Sequence, residues 1–214
     1  QDYDFLYEAG VKGRFLNNTV QIGSSVFYYD YNDLQRSVVP PGGTQNTMNA
    51  AKASVAGFEA EGKVAVGPNG RVNFALGLLR AKYGSFTSPN GTSLDGVALD
   101  RAPKATLSLG YTHNWDLESG ARISGYLGSR YSASFLFTDP GSAAAAPRFM
   151  HQPSFTKSDL TLTYSAPNDT WSVQAYVKNI EDKSTLIAPS AFAGRFLASF
   201  SEPRTMGVRG SIKF

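Results

Sequence analysis

Cysteine is absent from this chain of 214 residues. Its absence excludes disulfide frameworks, thiolate metal centres and cysteine nucleophiles together. The two histidines, His113 and His151, lie far apart in the sequence, so a histidine metal pair or a histidine acid–base site is not expected. We interpret both as solvent-facing loop residues. The sequence therefore predicts neither enzymatic catalysis nor a bound cofactor or metal.

Long hydrophobic runs and dense charge are also missing. No segment approaches the roughly 18 consecutive apolar residues of a membrane-spanning helix, and the mean hydropathy is −0.24. A membrane β-barrel stays possible, because barrel strands alternate apolar and polar residues. Charged residues make up 17% of the chain, the net charge is +3, and the basic residues are scattered. A nucleic-acid-binding surface is therefore not predicted.

Alternation of apolar and polar residues is the dominant pattern, and it recurs in about nine segments. In the last segment Met206, Val208 and Ile212 share one parity, whereas Thr205 and Arg209 share the other. A period of two separates the faces of a β-strand, and each segment is about long enough to cross a bilayer. The other segments carry on their apolar parity Tyr7, Val26, Phe58, Leu76, Leu107, Leu127, Leu162 and Val173. Phe27 and Leu79 break the pattern and indicate either packing inside a barrel or an error of register.

Short and long connections alternate between these segments. Turn-forming sequences occupy residues 16–18, 67–70, 117–120 and 167–169. Long stretches of polar or small residues occupy 34–50, 84–103, 132–153 and 181–203. Short turns at one rim and long loops at the other are typical of outer-membrane barrels.

Aromatic residues of the apolar parity occur where the segments meet the short turns. Side chains with an apolar ring favour the membrane boundary at such a position. We predict an aromatic belt formed by Phe15, Tyr111, Tyr164, Trp171 and Phe214. Together these patterns favour an all-β fold, an antiparallel up-and-down transmembrane β-barrel segment of about nine strands. The alternative is a soluble all-β module that buries its apolar face against a second layer.

Four stretches resemble one family, the TonB-dependent outer-membrane receptors. Residues 171–182 read WSVQAYVKNIED, which is similar to the penultimate barrel strand of that family. Residues 202–214 read EPRTMGVRGSIKF and resemble its closing strand with the terminal aromatic residue. Residues 26–35 and 57–61 resemble two strands from the middle of the barrel. The order and spacing of the four stretches match the family.

The resemblance implies a barrel of about 22 strands preceded by a globular plug. The chain would then be the carboxy-terminal part of that barrel, residues 1–214 without the plug, consistent with its start at Gln1 without an initiator methionine or signal sequence. It implies residence in the outer membrane and import of a scarce solute such as a siderophore–iron complex, cobalamin or a carbohydrate. The implied partners are outer-membrane lipid, the solute, the inner-membrane TonB complex acting through the plug, and the barrel-assembly machinery. A passive porin or an autotransporter-type barrel is the second alternative.

Candidate functional residues follow from parity and position. The polar parity predicts lumen-facing side chains at Glu59, Glu61, Lys63, Arg122 and Arg209. We interpret Glu59 and Glu61, together with Lys63, Arg14 and Lys12, as a solvated charge lattice that lines the barrel. Ligand contacts in an extracellular loop are predicted at Arg148, Phe149 and His151. By the resemblance, Ile212 and Phe214 form the signal that the assembly machinery recognises.

Overall fold

Nine antiparallel strands form one sheet along the chain. The computed structural model describes residues 5–38, 46–88, 91–138, 150–192 and 195–213. Numbered in chain order, the strands of the sheet are β1 (Phe5–Phe15), β2 (Val20–Val38), β3 (Asn46–Val66), β4 (Gly70–Tyr83), β5 (Ala105–Asp116), β6 (Arg122–Ser132), β9 (Phe155–Ser165), β10 (Trp171–Lys178) and β13 (Thr205–Ile212). Two small hairpins lie in the long connections, β7 (Phe135–Leu136) with β8 (His151–Gln152), and β11 (Ser190–Phe192) with β12 (Arg195–Leu197).

The sheet has an up-and-down order. Each strand pairs with the strand before it in the sheet, in the order β1-β2-β3-β4-β5-β6-β9-β10-β13, and every pairing is antiparallel. The prediction of an antiparallel up-and-down segment of nine strands is confirmed. No helix of the described residues is long and apolar enough to span a membrane.

The register aligns the apolar parity of all nine strands on one face, here called the apolar face. Val72 of β4 lies opposite Tyr111 of β5, and Leu127 of β6 lies opposite Leu160 of β9. A shift of one residue in any pairing would reverse the faces of that strand. The continuous alignment therefore produces two unlike faces, the apolar face and an opposite polar face.

The four short turns lie at one edge of the sheet, here called the short-turn rim. Asn17 and Asn18 adopt φ of 54° and 67°, and Asn168 and Asp169 adopt φ of 59° and 53°. Asparagine and aspartate tolerate this left-handed conformation better than most residues, which explains their placement. The opposite edge carries the long connections and is called the long-loop rim.

One predicted long loop is shorter than expected. Residues 34–50 were predicted to be a loop, but β2 continues to Val38 and β3 begins at Asn46. The pairing shifts register between Tyr31 and Gln35, which indicates a bulge. The prediction of a loop over residues 34–50 is wrong because β2 and β3 remain paired beyond the part of the sheet with an apolar face. Outside that part, apolar and polar side chains no longer need to alternate.

The exceptions at Phe27 and Leu79 are packing on the polar face and not errors of register. Both residues lie opposite Gly57 of β3, one on each neighbouring strand. A Cβ atom at Gly57 would lie 2.8 Å from Cε2 of Phe27 and 2.9 Å from the carbonyl oxygen of Leu78. Glycine at position 57 therefore leaves the space that the Phe27 ring occupies.

A small buried cluster closes the long-loop rim beside β4. Tyr83, Phe86 and Leu94 are its core, and the Tyr83 side chain is only 2% exposed. The backbone of Val97 accepts a hydrogen bond from Tyr83, so the connection after β4 returns along that strand. Tyr131, by contrast, has the parity of the apolar face because it pairs with Leu107.

Candidate functional site

The sheet curves around its polar face. Two concavities of about 620 and 730 Å³ open there, and their lining includes Lys12, Gly23, Glu61 and Ala75. Small residues on the floor, such as Gly77 and Ser108, leave this space free. The polar face is thus the inner side of a curved wall, and the apolar face is the outer side.

The structure brings together three of the five charged residues predicted to face the lumen. Glu59, Glu61 and Lys63 follow one another at every second position of β3 and lie on the polar face. Glu61 lies opposite Gly23, and the Cγ atoms of Glu61 and Lys12 are both 3.8 Å from the position that a Gly23 Cβ would take. The Cγ atoms of these two oppositely charged residues therefore lie beside the same glycine.

The other two predicted residues lie elsewhere on the polar face. Arg122 is at the short-turn rim, where its Nε lies 2.6 Å from Oδ1 of Asp116. Both side chains are 57% exposed, so this ion pair adds little stability. Arg209 lies opposite Gln174, whose Nε2 donates a hydrogen bond to Thr163. The five residues form no single site, and their function as lumen charges stays a prediction.

An aromatic ladder, Phe27, Tyr29 and Tyr31, occupies the polar face of β2 toward the long-loop rim. The centroids of Phe27 and Tyr29 are 5.4 Å apart in an edge-to-face arrangement, and those of Tyr29 and Tyr31 are 6.0 Å apart and nearly parallel. Val55 of β3 lies opposite Tyr29. The sequence signal for this ladder is an aromatic residue at every second position of the polar parity, of which the sequence analysis used only Phe27.

A network called the clamp joins β9, β10 and the start of β13 at the long-loop rim. Its centre is Asn179, which is 6% exposed and has a φ of 53°. Its Nδ2 donates to the carbonyl oxygens of Lys183 and Glu202, both at 3.2 Å, and its Oδ1 accepts from the Lys183 amide at 3.0 Å. The amide of Asn179 itself donates to Asp159 Oδ1 at 2.8 Å.

Two carboxylates complete the clamp. Glu181 accepts hydrogen bonds from the amide and the hydroxyl of Ser158, at 2.7 and 2.6 Å. Asp182 accepts the amide of Arg204 at 2.8 Å and lies 3.5 Å from its guanidinium. The two family-like motifs at 171–182 and 202–204 thus meet in space, and their polar residues fix the ends of three strands.

The clamp lowers the pKa of both carboxyl groups. The Ser158 side chain holds the pKa of Glu181 below its usual value, and the backbone amide of Arg204 does the same for Asp182. A depressed folded-state pKa contributes stability that is present above the unfolded-state value and is lost as the pH falls through the folded-state value. Acidification through the lowered folded-state pKa values of these two carboxyl groups should therefore loosen the clamp.

A pH dependence of local protection is expected from this linkage. In Glu181→Gln the Ser158 amide should exchange hydrogen faster than in the unaltered protein at pH 6, because a charged acceptor is lost. The difference should shrink as the pH falls through the lowered folded-state pKa of Glu181, because both side chains are then uncharged. Amide protection measured by mass spectrometry over a series of decreasing pH values is the test. A difference that keeps its size as the pH falls would contradict the assignment.

Four of the five residues predicted to form the aromatic belt, Phe15, Tyr111, Tyr164 and Trp171, lie on the apolar face near the short-turn rim. The rings of Tyr164 and Trp171 are 5.3 Å apart, and Phe15 and Tyr111 end up on the same face. Phe214 lies outside the described residues, and Ile212 is exposed on the apolar face opposite Trp171. Their functions as belt and assembly signal stay predictions.

The interpretation of His113 as a loop residue is wrong. His113 lies within β5 on the apolar face, where Nδ1 is 2.9 Å from the Tyr111 hydroxyl and the ring is 4.5 Å from that of Trp115. β5 continues to Asp116, so its apolar parity also includes His113 and Trp115, which the predicted aromatic belt did not contain. His113 and Trp115 therefore join Tyr111 in the aromatic group on the apolar face near the short-turn rim.

Only one of the three predicted loop contacts can be placed. His151 is exposed in β8 opposite Leu136. Arg148 and Phe149 lie outside the described residues. Among the described residues no three histidine, aspartate or glutamate side chains form a group that could hold a metal ion.

An apolar outer face, a polar inner face and short turns at one rim define a wall segment of a membrane β-barrel. The family model described as "TonB dependent receptor-like, beta-barrel" matches residues 6–180. The chain belongs to this family, whose members are outer-membrane transporters and not enzymes. The resemblance to this family is confirmed, and so is the predicted location in the outer membrane.

Solved structures share the fold at low sequence identity. The ferric yersiniabactin uptake receptor FyuA from Yersinia pestis superposes with a TM-score of 0.78 at 19% identity, over 100% of this chain and 30% of the receptor. The siderophore receptor PiuA from Acinetobacter baumannii gives 0.68 at 18% identity, over 96% of this chain and 27% of PiuA. The ferripyoverdine receptor of the outer membrane of Pseudomonas aeruginosa gives 0.67 at 19%, over 98% and 27%. The chain thus spans less than a third of each of these receptors. A comparison with curated protein sequences found no match.

Proposed function

We propose that this chain forms the carboxy-terminal wall of a receptor that captures an iron chelate of the siderophore type and imports it. The observation that carries the proposal is the aromatic ladder, Phe27, Tyr29 and Tyr31, on the inner face near the long-loop rim. Long loops of such barrels are extracellular, so the ladder lies where a solute enters. The similar solved structures named as siderophore receptors support this solute class.

The two open edges of the sheet support a larger barrel. β1 and β13 each have a strand neighbour on one side only in the described part of the chain. Unpaired backbone groups in lipid cost several kcal/mol each, so further strands must pair with both edges. We infer that residues 1–214 are part of a barrel of about 22 strands. The same proposal includes a plug, through which the inner-membrane TonB complex supplies energy. It also includes insertion of the barrel by the assembly machinery.

The ladder suits a ligand with flat aromatic groups. Tyr29 and Tyr31 are half-buried, so part of each ring faces the lumen. Val55 and Leu79 provide apolar surface next to the rings, and the tyrosine hydroxyls provide hydrogen-bonding groups. Aromatic pairs prefer stacked or edge-to-face contacts, and phenolate or catecholate groups of an iron chelate can form both with these rings.

Neighbouring tyrosines on opposite faces provide a matched test of the ladder. In the receptor at full length, Tyr29→Ala should weaken the binding of a catecholate iron chelate by about 5- to 30-fold, the loss of one stacking ring. Tyr28→Ala, which removes the same side chain from the apolar face, should leave affinity unchanged. Titration of both variants by tryptophan fluorescence in detergent measures this. Equal affinities in the two variants would refute the ladder as a binding surface.

Energy dependence separates the proposed function from its alternatives. Uptake of iron-55 from the chelate should stop in cells that lack the TonB complex. As a control, uptake should persist in cells that have the TonB complex but carry a mutation in an unrelated receptor. Uptake that continues without TonB would indicate a passive porin. Recovery of the protein from the soluble fraction without detergent would indicate a soluble binding module.

A further inference from the structure

The connection after β4 begins with a short hairpin formed by residues 84–88 and 91–97, here called the ledge. The amide of Leu94 donates a hydrogen bond to the carbonyl oxygen of Phe86 at 2.8 Å, which pairs the two arms of the hairpin. The side chains of Phe86 and Leu94 are only 6% and 1% exposed. The ledge therefore has its own backbone pairing and its own apolar core, unlike most surface loops.

The ledge lies on the inner side of the wall. Tyr83, the last residue of β4, has the polar parity because it pairs with Ala53 of β3. Phe86 and Leu94 form one buried cluster with Tyr83, so they lie over the polar face. Leu34 of β2 packs against the same cluster. The ledge therefore extends from β4 across β3 to β2, over the inner face at the long-loop rim.

The border of the ledge lies beside the aromatic ladder. Tyr31 of the ladder and Tyr83 lie opposite Ala53, one on each neighbouring strand. Ala53 is 2% exposed, and Ala81, two positions before Tyr83, is 7% exposed. Glu59, on the same face of β3 but nearer the short-turn rim, is exposed. The cover of the inner face is thus complete at Ala53 and absent at Glu59, and its border falls at the level of the ladder.

Backbone hydrogen bonds hold the base of the ledge in place. The amide of Tyr83 donates to the carbonyl oxygen of Val97 at 2.8 Å, and the amide of Gly96 donates to the carbonyl oxygen of Tyr83 at 3.0 Å. The amide of Gly84 donates to the carbonyl oxygen of Lys52 in β3 at 2.6 Å. Segments with paired backbone and buried apolar contacts resist local opening. The ledge therefore keeps its position when a solute approaches the ladder.

We propose that the ledge limits the size of the iron chelate that the aromatic ladder admits, an inference that rests on the proposed function of the ladder. A ring that stacks on Tyr29 or Tyr31 lies directly below the border of the ledge. A bulky substituent that projects from this ring toward the long-loop rim meets the ledge. The ledge cannot yield without opening its packed core. Compact chelates therefore reach the ladder, and chelates with bulky substituents are excluded.

Two glycines at the base of the ledge allow its removal without a change in the strands below. The pair formed by Tyr83 and Val97 encloses Gly84 and Gly96. Deletion of residues 85–95 joins these two glycines into a two-residue turn. Gly-Gly is among the sequences that such a turn between antiparallel strands favours. The variant therefore keeps the end of β4 and loses the ledge.

The probes are two iron(III) complexes with the same metal-binding groups, a compact tris-catecholate and its analogue with a tert-butyl group on each ring. The unaltered full-length receptor should bind the compact complex on the order of 30-fold more tightly, as steric exclusion at a packed site allows. The variant that lacks residues 85–95 should bind the two complexes within about 3-fold of each other. Titration by tryptophan fluorescence in detergent measures both affinities.

A deletion elsewhere on the long-loop rim is the matched control. Loss of residues 190–197, which include the hairpin of β11 with β12, should leave the preference for the compact complex unchanged. Leu94→Ala keeps the chain length but opens a cavity in the cluster, and it should reduce the preference at least about 3-fold. This substitution keeps the test valid if the deletion variant assembles poorly.

The outcomes separate the ledge from the ladder. A preference that stays on the order of 30-fold in both ledge variants would overturn the ledge as a size limit. Failure of the ladder has a different result, in which Tyr29→Ala binds the compact complex as tightly as the unaltered receptor does.

Discussion

Arginine in place of Leu160 should destabilise the folded barrel by about 2–4 kcal/mol, the cost of a cation on the lipid face near the bilayer midplane. Leu160 is the central residue of β9 and lies between Leu127 and Val177 on the apolar face. Its side chain is 46% exposed, since none of the residues that the structure describes forms a layer over it. Urea unfolding of the full-length receptor in lipid vesicles measures the loss as a lower midpoint.

The adjacent residue provides the control for this substitution. Thr161 lies on the polar face between Tyr126 and Tyr176, so arginine there faces the aqueous lumen. Thr161→Arg should change the free energy of unfolding by about 0–1 kcal/mol, as surface substitutions usually do. If both arginines cost the same, the assignment of lipid and lumen to the two faces is wrong.

Alanine in place of Asn179 should release the clamp, at a cost of about 3–4 kcal/mol. About 1 kcal/mol is lost with each of three side-chain hydrogen bonds, and a further ~1 kcal/mol is lost because alanine is strained at positive φ. The effect should be local, at the ends of β9, β10 and β13. Faster hydrogen exchange at the amides of Lys183 and Arg204, with an unchanged rate in β5, is the expected result.

A second variant separates the two contributions at position 179. Asn179→Gly removes the same hydrogen bonds but adopts φ of 53° without strain. It should therefore loosen the clamp by about 1 kcal/mol less than the alanine variant. An alanine variant with the protection of the unaltered protein would show that the clamp does not hold these strand ends.

The sheet could be predicted from the sequence because lipid imposes a simple rule on each strand. Every second side chain between the rims must be apolar or small, as in Met206, Val208 and Ile212, and short turns need residues that tolerate positive φ. Above the rims that rule ends, so the extension of β2 to Val38 and the hairpin of β7 with β8 had no readable pattern. The pairing of Tyr83 with Ala53 likewise places Tyr83 on the polar parity, which the alternation in the sequence does not predict for a tyrosine.

The candidate site was predictable by face but not by partner. Parity placed Glu61 and Arg122 on one face, yet only the structure shows that Glu61 and Lys12 both lie beside Gly23, whereas Arg122 pairs with Asp116. To predict the clamp, one must know that Asp182 contacts Arg204, which is 22 positions further along the chain. Such contacts depend on how the strands and loops pack together. The alternation of apolar and polar residues predicts the face on which a side chain lies but not the residue that it contacts.

Spin labels along β5 test the central claim that lipid covers the apolar face. Residues 1–214 contain no cysteine, so single cysteines can be introduced one by one from Thr106 to Thr112, in a full-length receptor whose other cysteines, where present, are replaced by serine. Labels at Leu107, Leu109 and Tyr111 should be accessible to oxygen, which dissolves in lipid, and those at Thr106, Ser108 and Thr112 to a water-soluble nickel complex. The opposite alternation, or labels at Leu107 and Leu109 shielded from both reagents, would contradict the account.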